Sequence, residues 1–529
     1  MLRPLKAKSF VLCVFSAFLL ILSFPNFNFW IFAWFGFVPL FFAMRNKSKL
    51  KTFLLSYSTG ILFWLGTIYW LIHVTLPGMI ILVLYLALYF GLFGLILSAI
   101  RYPLSVSGLL LIPSIWVLLE YIRSYLFTGF PWALLGYSQY LNLPVIQIAD
   151  ITGAWGVSFL VMMVNVSVYQ VCELAGKPVR GWRRDCKKII VPCLLLVLSL
   201  GYGFCKIIRL HANPPTGTPI KISVIQGNIP QALKWNPEAK NYIIDKYLDL
   251  TREVVKGKPG LIIWPEASLP VVLEEEPLFF AVQESINFPV PLRKSQKFIA
   301  EGDFLEKVIN FVKEVNAPLL FGAVTVKDGS YHNSALLVSR TAEHIARYDK
   351  LHLVPFGEYI PLRKKLRFLE TVVPIGDFTA GKEYTIFRTR HNFAVLICFE
   401  DLFPQLAREF RKRGADFLVN ITNDAWFGNS SSPYQHFAAS VFRAVENRLP
   451  VVRAANTGVS GFISPAGKII SLLKDKSGQN IFITGGLTES ITAAKQGLTF
   501  YARFGDMFIA VCFLVTLCGI FLELKTKNV

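Results

Sequence analysis

The stretch that decides the fold is Phe393-Ala394-Val395-Leu396-Ile397-Cys398-Phe399-Glu400-Asp401, an apolar β-run that ends in a cysteine and two carboxylates. Similar short apolar runs recur through the middle of the chain. Helical patterns separate them at 238–255, 303–315, 403–413 and 436–448, and these patterns predict packing faces rather than sites. Alternating strands and helices predict an α/β sandwich.

Three of the apolar runs end in a residue that can do chemistry. The run at 262–266 ends in the carboxylate of Glu266, the run at 346–350 ends in the amine of Lys350, and the third ends in the thiol of Cys398. Catalytic groups in α/β folds gather at the carboxyl ends of strands. Nothing in their sequence separation makes the three adjacent, so we expect a shared sheet to bring them together.

The composition indicates a membrane protein. The chain has 529 residues, 53% of them hydrophobic and 14% aromatic, with a mean hydropathy of +0.48, which is too apolar for an ordinary soluble enzyme. A bilayer core needs about 20 apolar residues per helix. Eight runs are candidate spans: 10–24, 29–44, 53–73, 79–100, 108–126, 151–173, 189–208 and 507–522.

The spans divide the chain into three predicted parts. We expect a seven-helix membrane domain at 1–208, an extracytoplasmic domain at 209–505, and a C-terminal transmembrane helix with a cytoplasmic tail at 506–529. Lys and Arg cluster in alternate loops, whereas the short outer loops hold almost none apart from Arg123. This positive-inside bias predicts cytoplasmic termini and an outer domain.

Two alternatives follow from the same features. The first apolar run has the basic lead of a cleaved signal peptide, but Ser23, Phe24 and Pro25 make a poor cleavage site, and cleavage would place basic loops outside. The formal net charge of +20 suggests nucleic acid, but no recognition motif accompanies it. Membrane topology explains the charge better, and we expect the bilayer rather than nucleic acid as a partner.

The positions of the cysteines and histidines limit which kinds of functional site we expect. Seven of the eight cysteines lie in or beside predicted spans, so Cys398 is a lone thiol in an exported domain. It is either a buried core cysteine or a nucleophile, and its place at a strand end favours the nucleophile. The seven histidines show no paired ligand spacing and no glycine-rich phosphate loop occurs, so we expect no metal and no cofactor.

Several motifs together carry a family resemblance. The segment Tyr348-Asp349-Lys350-Leu351-His352-Leu353-Val354-Pro355-Phe356-Gly357-Glu358-Tyr359-Ile360-Pro361, with Trp264-Pro265-Glu266 and Ile397-Cys398-Phe399-Glu400, resembles the nitrilase superfamily. Its HLVPFGEY version is similar to the apolipoprotein N-acyltransferase branch. Further matches are Gln226-Gly227-Asn228-Ile229-Pro230 and Asn423-Asp424-Ala425-Trp426-Phe427-Gly428. The resemblance spans nearly the whole chain and implies a nitrilase-like αββα sandwich joined to about eight transmembrane helices.

The resemblance also implies roles. Cys398 is expected to be the nucleophile, Glu266 the general base, and Lys350, with a backbone N–H near Cys398, the stabiliser of the oxyanion. A nearby base and cation are expected to raise the thiolate fraction of Cys398. The carboxylates of Glu358 and Glu400 either orient Lys350 or the substrate amine, or form structural ion pairs. Four residues are expected to contact substrate: Trp235, Tyr359, Asn423 and Trp426.

Two departures from the family pattern affect these expectations. Phe399 stands where the family usually has Tyr, so we expect aromatic packing there rather than a catalytic hydroxyl. The stretch at 270–297 is longer than the family norm. Its apolar pieces are consistent with a lid that touches lipid or with a packed loop.

The expected activity is transfer of a fatty acyl chain from a phospholipid, through a cysteine thioester, to the N-terminal amine of a diacylglyceryl-cysteine on an apolipoprotein, at the bacterial inner membrane. The alternative is a membrane-tethered nitrilase-like amidase that uses water as acceptor. A binding protein on an inactive fold is expected to have lost one of Glu266, Lys350 and Cys398, and all three are present.

Overall fold

Apolar helices form both ends of the chain. The computed structural model describes residues 7–100, 106–175, 190–212, 217–275, 298–300, 303–360, 377–493 and 497–527. The α-helices of the two ends are Ala7–Leu22, Val38–Met44, Lys49–Thr67, Leu76–Ala99, Val106–Tyr125, Leu143–Ile146, Ala149–Thr152, Ala154–Ala175, Ile190–Ala212, Phe500–Phe504 and Met507–Lys527.

By length and composition, four of these helical segments can cross a membrane: Leu76–Ala99, Gly108–Thr128, Ala154–Glu173 and Ile190–Ala212. They coincide with four of the eight predicted runs. The run predicted at 29–44 is not one continuous α-helix, since it holds the 3-10 helix Trp30–Trp34 and then Val38–Met44. Pro39 at the start of the second piece lacks the N–H that a continuous helix would use.

Arg123, the basic exception in the predicted outer loops, has a structural role. Its Nη1 donates to the carbonyl of Phe130 at 2.6 Å and to that of Trp132 at 2.8 Å. Its guanidinium also lies over the ring of Trp64, 4.9 Å from the centroid. Because the cation is buried and satisfied by main-chain carbonyls, it fixes the loop that carries Trp132.

The middle of the chain contains two packed β-sheets. Its strands are Pro219–Gln226 (β1), Leu261–Ile263 (β2), Val272–Glu275 (β3), Phe298–Ala300 (β4), Leu319–Lys327 (β5), Ser330–Val338 (β6), Ile345–Asp349 (β7), Phe387–Arg388 (β8), Asn392–Ile397 (β9), Phe417–Thr422 (β10), Val451–Ala455 (β11), Gly461–Ile463 (β12), Ile469–Leu472 (β13) and Gly485–Thr492 (β14). One sheet has the order β14-β1-β2-β5-β3-β4, with β6 pairing β5 and β7 pairing β6. The other has the order β13-β12-β11-β10-β9-β8.

Alternating side chains explain how the layers pack. In β2, Leu261 and Ile263 join the core between the sheets, whereas Ile262 joins a second core with the helices Lys240–Val255 and Phe304–Val315. Residues two apart on a strand share a face, so an apolar strand buries both faces. The predicted α/β sandwich is confirmed.

The second sheet is covered by Pro404–Lys412 and by Ser432–Asn447, which we call the interface helix. The side-chain amide of Gln435 accepts from the indoles of Trp70 and Trp132 at 3.2 and 2.6 Å. It also donates to the carbonyl of Thr67 at 2.9 Å. These directional bonds attach the sandwich to the apolar helices.

Arg443 of the interface helix is a second buried attachment. Its Nη2 donates to Glu446 Oε1 at 3.0 Å and to the hydroxyl of Tyr137 at 3.3 Å. Glu446 also accepts from the main-chain N–H of Ala154 at 3.0 Å. The guanidinium is therefore the main charge partner of a carboxylate that lies between the sandwich and the helices.

We predict that Arg443→Met destabilises the fold. The change leaves the Glu446 carboxylate buried without its cation, which costs about 3–5 kcal/mol in the free energy of unfolding. Denaturant unfolding in detergent measures the loss. The control is Arg390→Met at an exposed position, where a change within about 0.5 kcal/mol is expected. Equal stability of the two variants would contradict the assignment.

Candidate active site

The three residues predicted at strand ends meet where the two sheets face each other. Glu266 follows β2 and Lys350 follows β7, both in the first sheet, whereas Cys398 follows β9 in the second. The expectation of one shared sheet was therefore wrong. The strand ends converge because the sheets pack face to face, so the thiol on one faces the charges on the other.

Lys350 is a buried ammonium between two carboxylates. Its Nζ lies 2.9 Å from Glu358 Oε1 and 3.8 Å from Glu266 Oε1, and its side chain is 1% exposed. Burial alone would lower the pKa of Lys350, but the charges of Glu358 and Glu266 outweigh burial and raise it above its ordinary value. The group therefore stays cationic across the physiological pH range.

Glu266 is held by hydrogen bonds at both carboxylate oxygens. Oε1 accepts from Asn333 Nδ2 at 2.8 Å, and Oε2 accepts from the main-chain N–H of Asn423 at 2.9 Å. The same Asn333 amide donates to Glu358 Oε1 at 2.7 Å. One amide thus sets the spacing of the two carboxylates that flank Lys350.

Cys398 occupies a strained turn at the start of the 3-10 helix Cys398–Leu402, with a φ of 51°. The side chain is partly buried. Burial and the Glu266 carboxylate raise the pKa of the thiol above its ordinary value, while Lys350 acts in the opposite direction. Lys350 thus favours the thiolate, as expected of a nearby cation, whereas burial and Glu266 favour the protonated thiol.

Glu358 and Glu400 differ in what they hold. Glu358 binds Lys350 with one oxygen and accepts from the N–H of Val354 at 2.7 Å with the other. Glu400 accepts from the N–H groups of Leu351 and Ile397, each at 2.7 Å. Burial raises the pKa of Glu400 to about 7. Glu400 thus fastens the main chain beside Lys350 to the strand that carries Cys398.

The residues expected to contact substrate have different environments. The rings of Trp235 and Trp426 are 46% and 52% exposed. Asn423 is buried, and its side-chain amide donates to Gln231 Oε1 at 2.8 Å. Tyr359 closes a short turn, since its carbonyl accepts from the N–H of Phe356 at 2.8 Å. The exposed indoles are available to a ligand, whereas the Asn423 side chain is engaged within the protein.

Phe399 and His352 form an aromatic cluster beside the site. The Phe399 ring lies 5.1 Å from that of Phe403 and 6.0 Å from that of His352. Burial and the nearby Lys350 lower the pKa of His352 to about 4, so this imidazole is neutral near pH 7. The phenyl ring at 399 thus has aromatic packing partners.

Three residues of the site were not found from the sequence: Asn333, Lys234 and His436. Lys234 is buried and donates to the main-chain carbonyl of Glu266 at 2.9 Å, and burial lowers its pKa to about 8. His436 contacts the carbonyl of Cys398 through Nε2 at 3.1 Å. The interface helix was predicted only as a packing face, because its pattern does not show which polar residue meets the other layer.

Two further predictions concern what surrounds the site. Most of the predicted lid, 276–297, lies outside the described residues, and its first part forms β3, which pairs with β4. Among the described residues, His, Cys, Asp and Glu form no group of three that could hold a metal ion.

Comparison with known proteins gives matches along both parts of the chain. A family model for the apolipoprotein N-acyltransferase N-terminal domain matches residues 16–167, and a carbon-nitrogen hydrolase model matches residues 221–496. The apolipoprotein N-acyltransferase of Geobacter metallireducens is 37% identical, covering 96% of this chain and 93% of its own. That of Pasteurella multocida is 31% identical, covering 96% and 94%. A solved amidase from Nesterenkonia sp. is 17% identical and covers 57% of this chain and 99% of its own, with a TM-score of 0.37.

We predict that Gly322→Ala slows alkylation of Cys398 by iodoacetamide. A Cβ at this position of β5 would lie 2.4 Å from the nitrogen of Ala267 and 2.6 Å from the Cα of Glu266, so the turn carrying Glu266 must shift. Misplacing the base by about 1 Å is expected to lower the rate roughly 10-fold or more.

Gly497→Ala is the matched control, because its Cβ would meet nothing within 4 Å. Mass spectrometry of the Cys398 peptide gives both rates. Unchanged alkylation in a folded Gly322→Ala variant would argue against Glu266 as the base that serves this thiol.

Proposed function

Because the chain belongs to the apolipoprotein N-acyltransferase family, we propose that it moves a fatty acyl chain from a membrane phospholipid to the N-terminal amine of a diacylglyceryl-cysteine on an apolipoprotein. The acyl group travels as a thioester on Cys398. The observation that carries this proposal is the meeting of three groups where the two sheets face each other: the Cys398 thiol, the Glu266 carboxylate, and the Lys350 ammonium 3.8 Å from that carboxylate. No cofactor is needed, since the acyl group arrives activated as an ester.

The first half-reaction acylates the enzyme. Glu266 takes the proton from Cys398 as the sulfur attacks the ester carbonyl, and a tetrahedral oxyanion forms. Lys350 and the backbone N–H of Phe399 stabilise this oxyanion, and one such donor is typically worth about 3 kcal/mol. The carbon–oxygen bond then breaks, the lysophospholipid oxygen takes the proton back from Glu266, and the thioester remains.

The second half-reaction consumes the thioester. The acceptor ammonium loses one proton to solvent to become an amine, which attacks the thioester carbonyl. Glu266 takes the second nitrogen proton as the carbon–sulfur bond breaks, and Cys398 recovers that proton as it leaves. The thioester suits this exchange because it keeps most of the acyl group's reactivity until an amine arrives.

Glu358 and Glu400 act as positioning residues in this scheme. Glu358 pairs with Lys350 at 2.9 Å throughout the cycle, including while Glu266 carries a proton. Glu400 keeps the Lys350 segment beside the nucleophile through its bonds to Leu351 and Ile397. Glu358 does form an ion pair with Lys350, but in this scheme the pair serves to keep Lys350 charged. Glu400 binds main-chain N–H groups instead, so the alternative of a structural ion pair does not describe it.

The exposed indoles of Trp235 and Trp426 are proposed to contact the lipid chains of the substrates, because large exposed aromatic surfaces suit apolar ligands. Tyr359 shapes the turn that it closes with Phe356. Asn423 is proposed to act on the base rather than on substrate, since its main-chain N–H binds Glu266. Phe399 contributes its ring to the packing beside Lys350.

We further propose the membrane arrangement expected from the loops: a seven-helix domain at 1–208, an extracytoplasmic catalytic domain at 209–505 and a final transmembrane helix with its tail at 506–529, in the bacterial inner membrane. Both termini are cytoplasmic. The bias of Lys and Arg toward alternate loops supports this orientation.

Incubating the purified protein with an acyl-labelled phospholipid tests the chemistry. Without acceptor, we expect a hydroxylamine-labile acyl group on Cys398, and none in Cys398→Ala. Adding a diacylglyceryl lipopeptide should move the label to its N-terminal amine. Release of the label as free fatty acid, with no amide product, would instead support the membrane-tethered amidase.

Labelling of single cysteines tests the orientation. In a background with the native cysteines replaced by serine, Ser477→Cys and Lys49→Cys both offer exposed thiols. A membrane-impermeant maleimide is expected to label position 477 in intact spheroplasts and position 49 only after permeabilisation. The opposite pattern would invert the proposed topology.

A further inference from the structure

The carbonyl of Cys398 is held by two side chains that the proposed reaction does not use. His436 Nε2 lies 3.1 Å from this oxygen, and Asn420 Nδ2 donates to it at 3.2 Å. A carbonyl only accepts, so Nε2 of His436 must carry the hydrogen. The bonds fix the direction of the carbonyl, although neither side chain reaches the reacting sulfur through them.

Fixing this carbonyl also fixes the next N–H. The peptide between Cys398 and Phe399 is planar, and in a trans peptide the C=O and N–H point in opposite directions. The N–H of Phe399 lies in the first turn of the 3-10 helix Cys398–Leu402, where main-chain donors have no partner within the helix. The direction in which this N–H points therefore depends on the side chains that bind the carbonyl oxygen of Cys398.

Both holding side chains are themselves fixed. His436 is 1% exposed, and its Nδ1 lies 2.8 Å from Arg453 Nη2 and 3.1 Å from Asp424 Oδ1. The Asn420 amide also donates to the carbonyl of Leu396 at 3.1 Å. Neither donor can turn away without leaving a buried polar group unpaired, which costs about 1–3 kcal/mol.

The interface helix connects this arrangement to the membrane part. Gln435, the neighbour of His436, accepts from the indole of Trp132 at 2.6 Å. The ring of Trp132 also lies 5.6 Å from the ring of His436. Two adjacent residues of one helix thus have different partners: Gln435 binds residues of the apolar helices, and His436 binds the main chain of Cys398.

We propose that His436 is a positioning residue that aims the N–H of Phe399 at the oxyanion, and that the membrane part sets its place through Trp132 and Gln435. This inference rests on the proposed function, in which Cys398 attacks a carbonyl. It makes the apolar helices part of the catalytic geometry, in addition to their role as an anchor.

Two reactions of the same thiol separate this role from a structural one. Attack on an ester builds negative charge on oxygen and needs the N–H of Phe399. Alkylation by iodoacetamide displaces iodide and builds no oxyanion. A residue that only aims the N–H affects the first reaction and not the second.

The test compares His436→Phe, which keeps a flat ring without a donor, with His436→Gln, which restores a donor near Nε2. In His436→Phe, single-turnover acylation from phospholipid is expected to fall roughly 10- to 100-fold. Alkylation of Cys398 should stay within about twofold of the native rate. His436→Gln should regain most of the acylation rate, and Trp132→Phe should show the same selective loss to a smaller degree.

Asn420→Ala removes the other donor and tests the same role if His436→Phe does not fold, since the same selective loss is expected. Parallel loss of both reactions in the folded variants, or no loss in either, would overturn the proposal. A native protein that never acylates Cys398 would instead overturn the proposed function, so the two failures are distinguishable.

Discussion

The site depends on keeping one ammonium charged where water is excluded. Lys350 is almost fully buried, and burial by itself favours the neutral amine. A single carboxylate would suffice at rest, but in the proposed reaction Glu266 gives up its charge when it takes a proton. Glu358, at 2.9 Å, preserves the cation through that step. The need for a lasting cation beside a cycling base explains why two carboxylates flank one lysine, with Asn333 spacing them.

The resting state follows from the same balance. Burial and Glu266 both raise the pKa of Cys398, which favours the protonated thiol at rest. In the proposed reaction such a thiol is protected from indiscriminate attack, because its sulfur becomes nucleophilic only as Glu266 accepts its proton. A long-lived thioester in the following step needs the same exclusion of water. Burial thus lowers the intrinsic reactivity of the nucleophile and protects the intermediate.

The sequence predicted what depends on local pattern. Apolar runs such as Leu261–Ile263 gave the sandwich, and strand ends gave Glu266, Lys350 and Cys398, because strand direction is encoded locally. It missed His436, which contacts the main chain of Cys398, and Asn333, whose partners Glu266 and Glu358 are distant in sequence. A histidine within a helical pattern has the same local signature whether it faces solvent or the carbonyl of Cys398. The shared-sheet expectation was wrong for the same reason, since local pattern does not assign strands to sheets.

The junction between the sandwich and the apolar helices is built from buried hydrogen bonds at Gln435 and Arg443, and at Arg448, whose Nη2 donates to Asp150 Oδ2 at 2.8 Å. Apolar surfaces tolerate sliding, whereas buried polar groups must keep their partners or lose about 1–3 kcal/mol each. The junction therefore fixes the orientation of the sandwich relative to the helices. Since His436 belongs to the same helix, this junction also sets the position of the N–H that we propose binds the oxyanion. In the proposed reaction, a site fixed in this way stays at one distance from the apolar helices. The donor ester and the acceptor amine must therefore reach the same position one after the other.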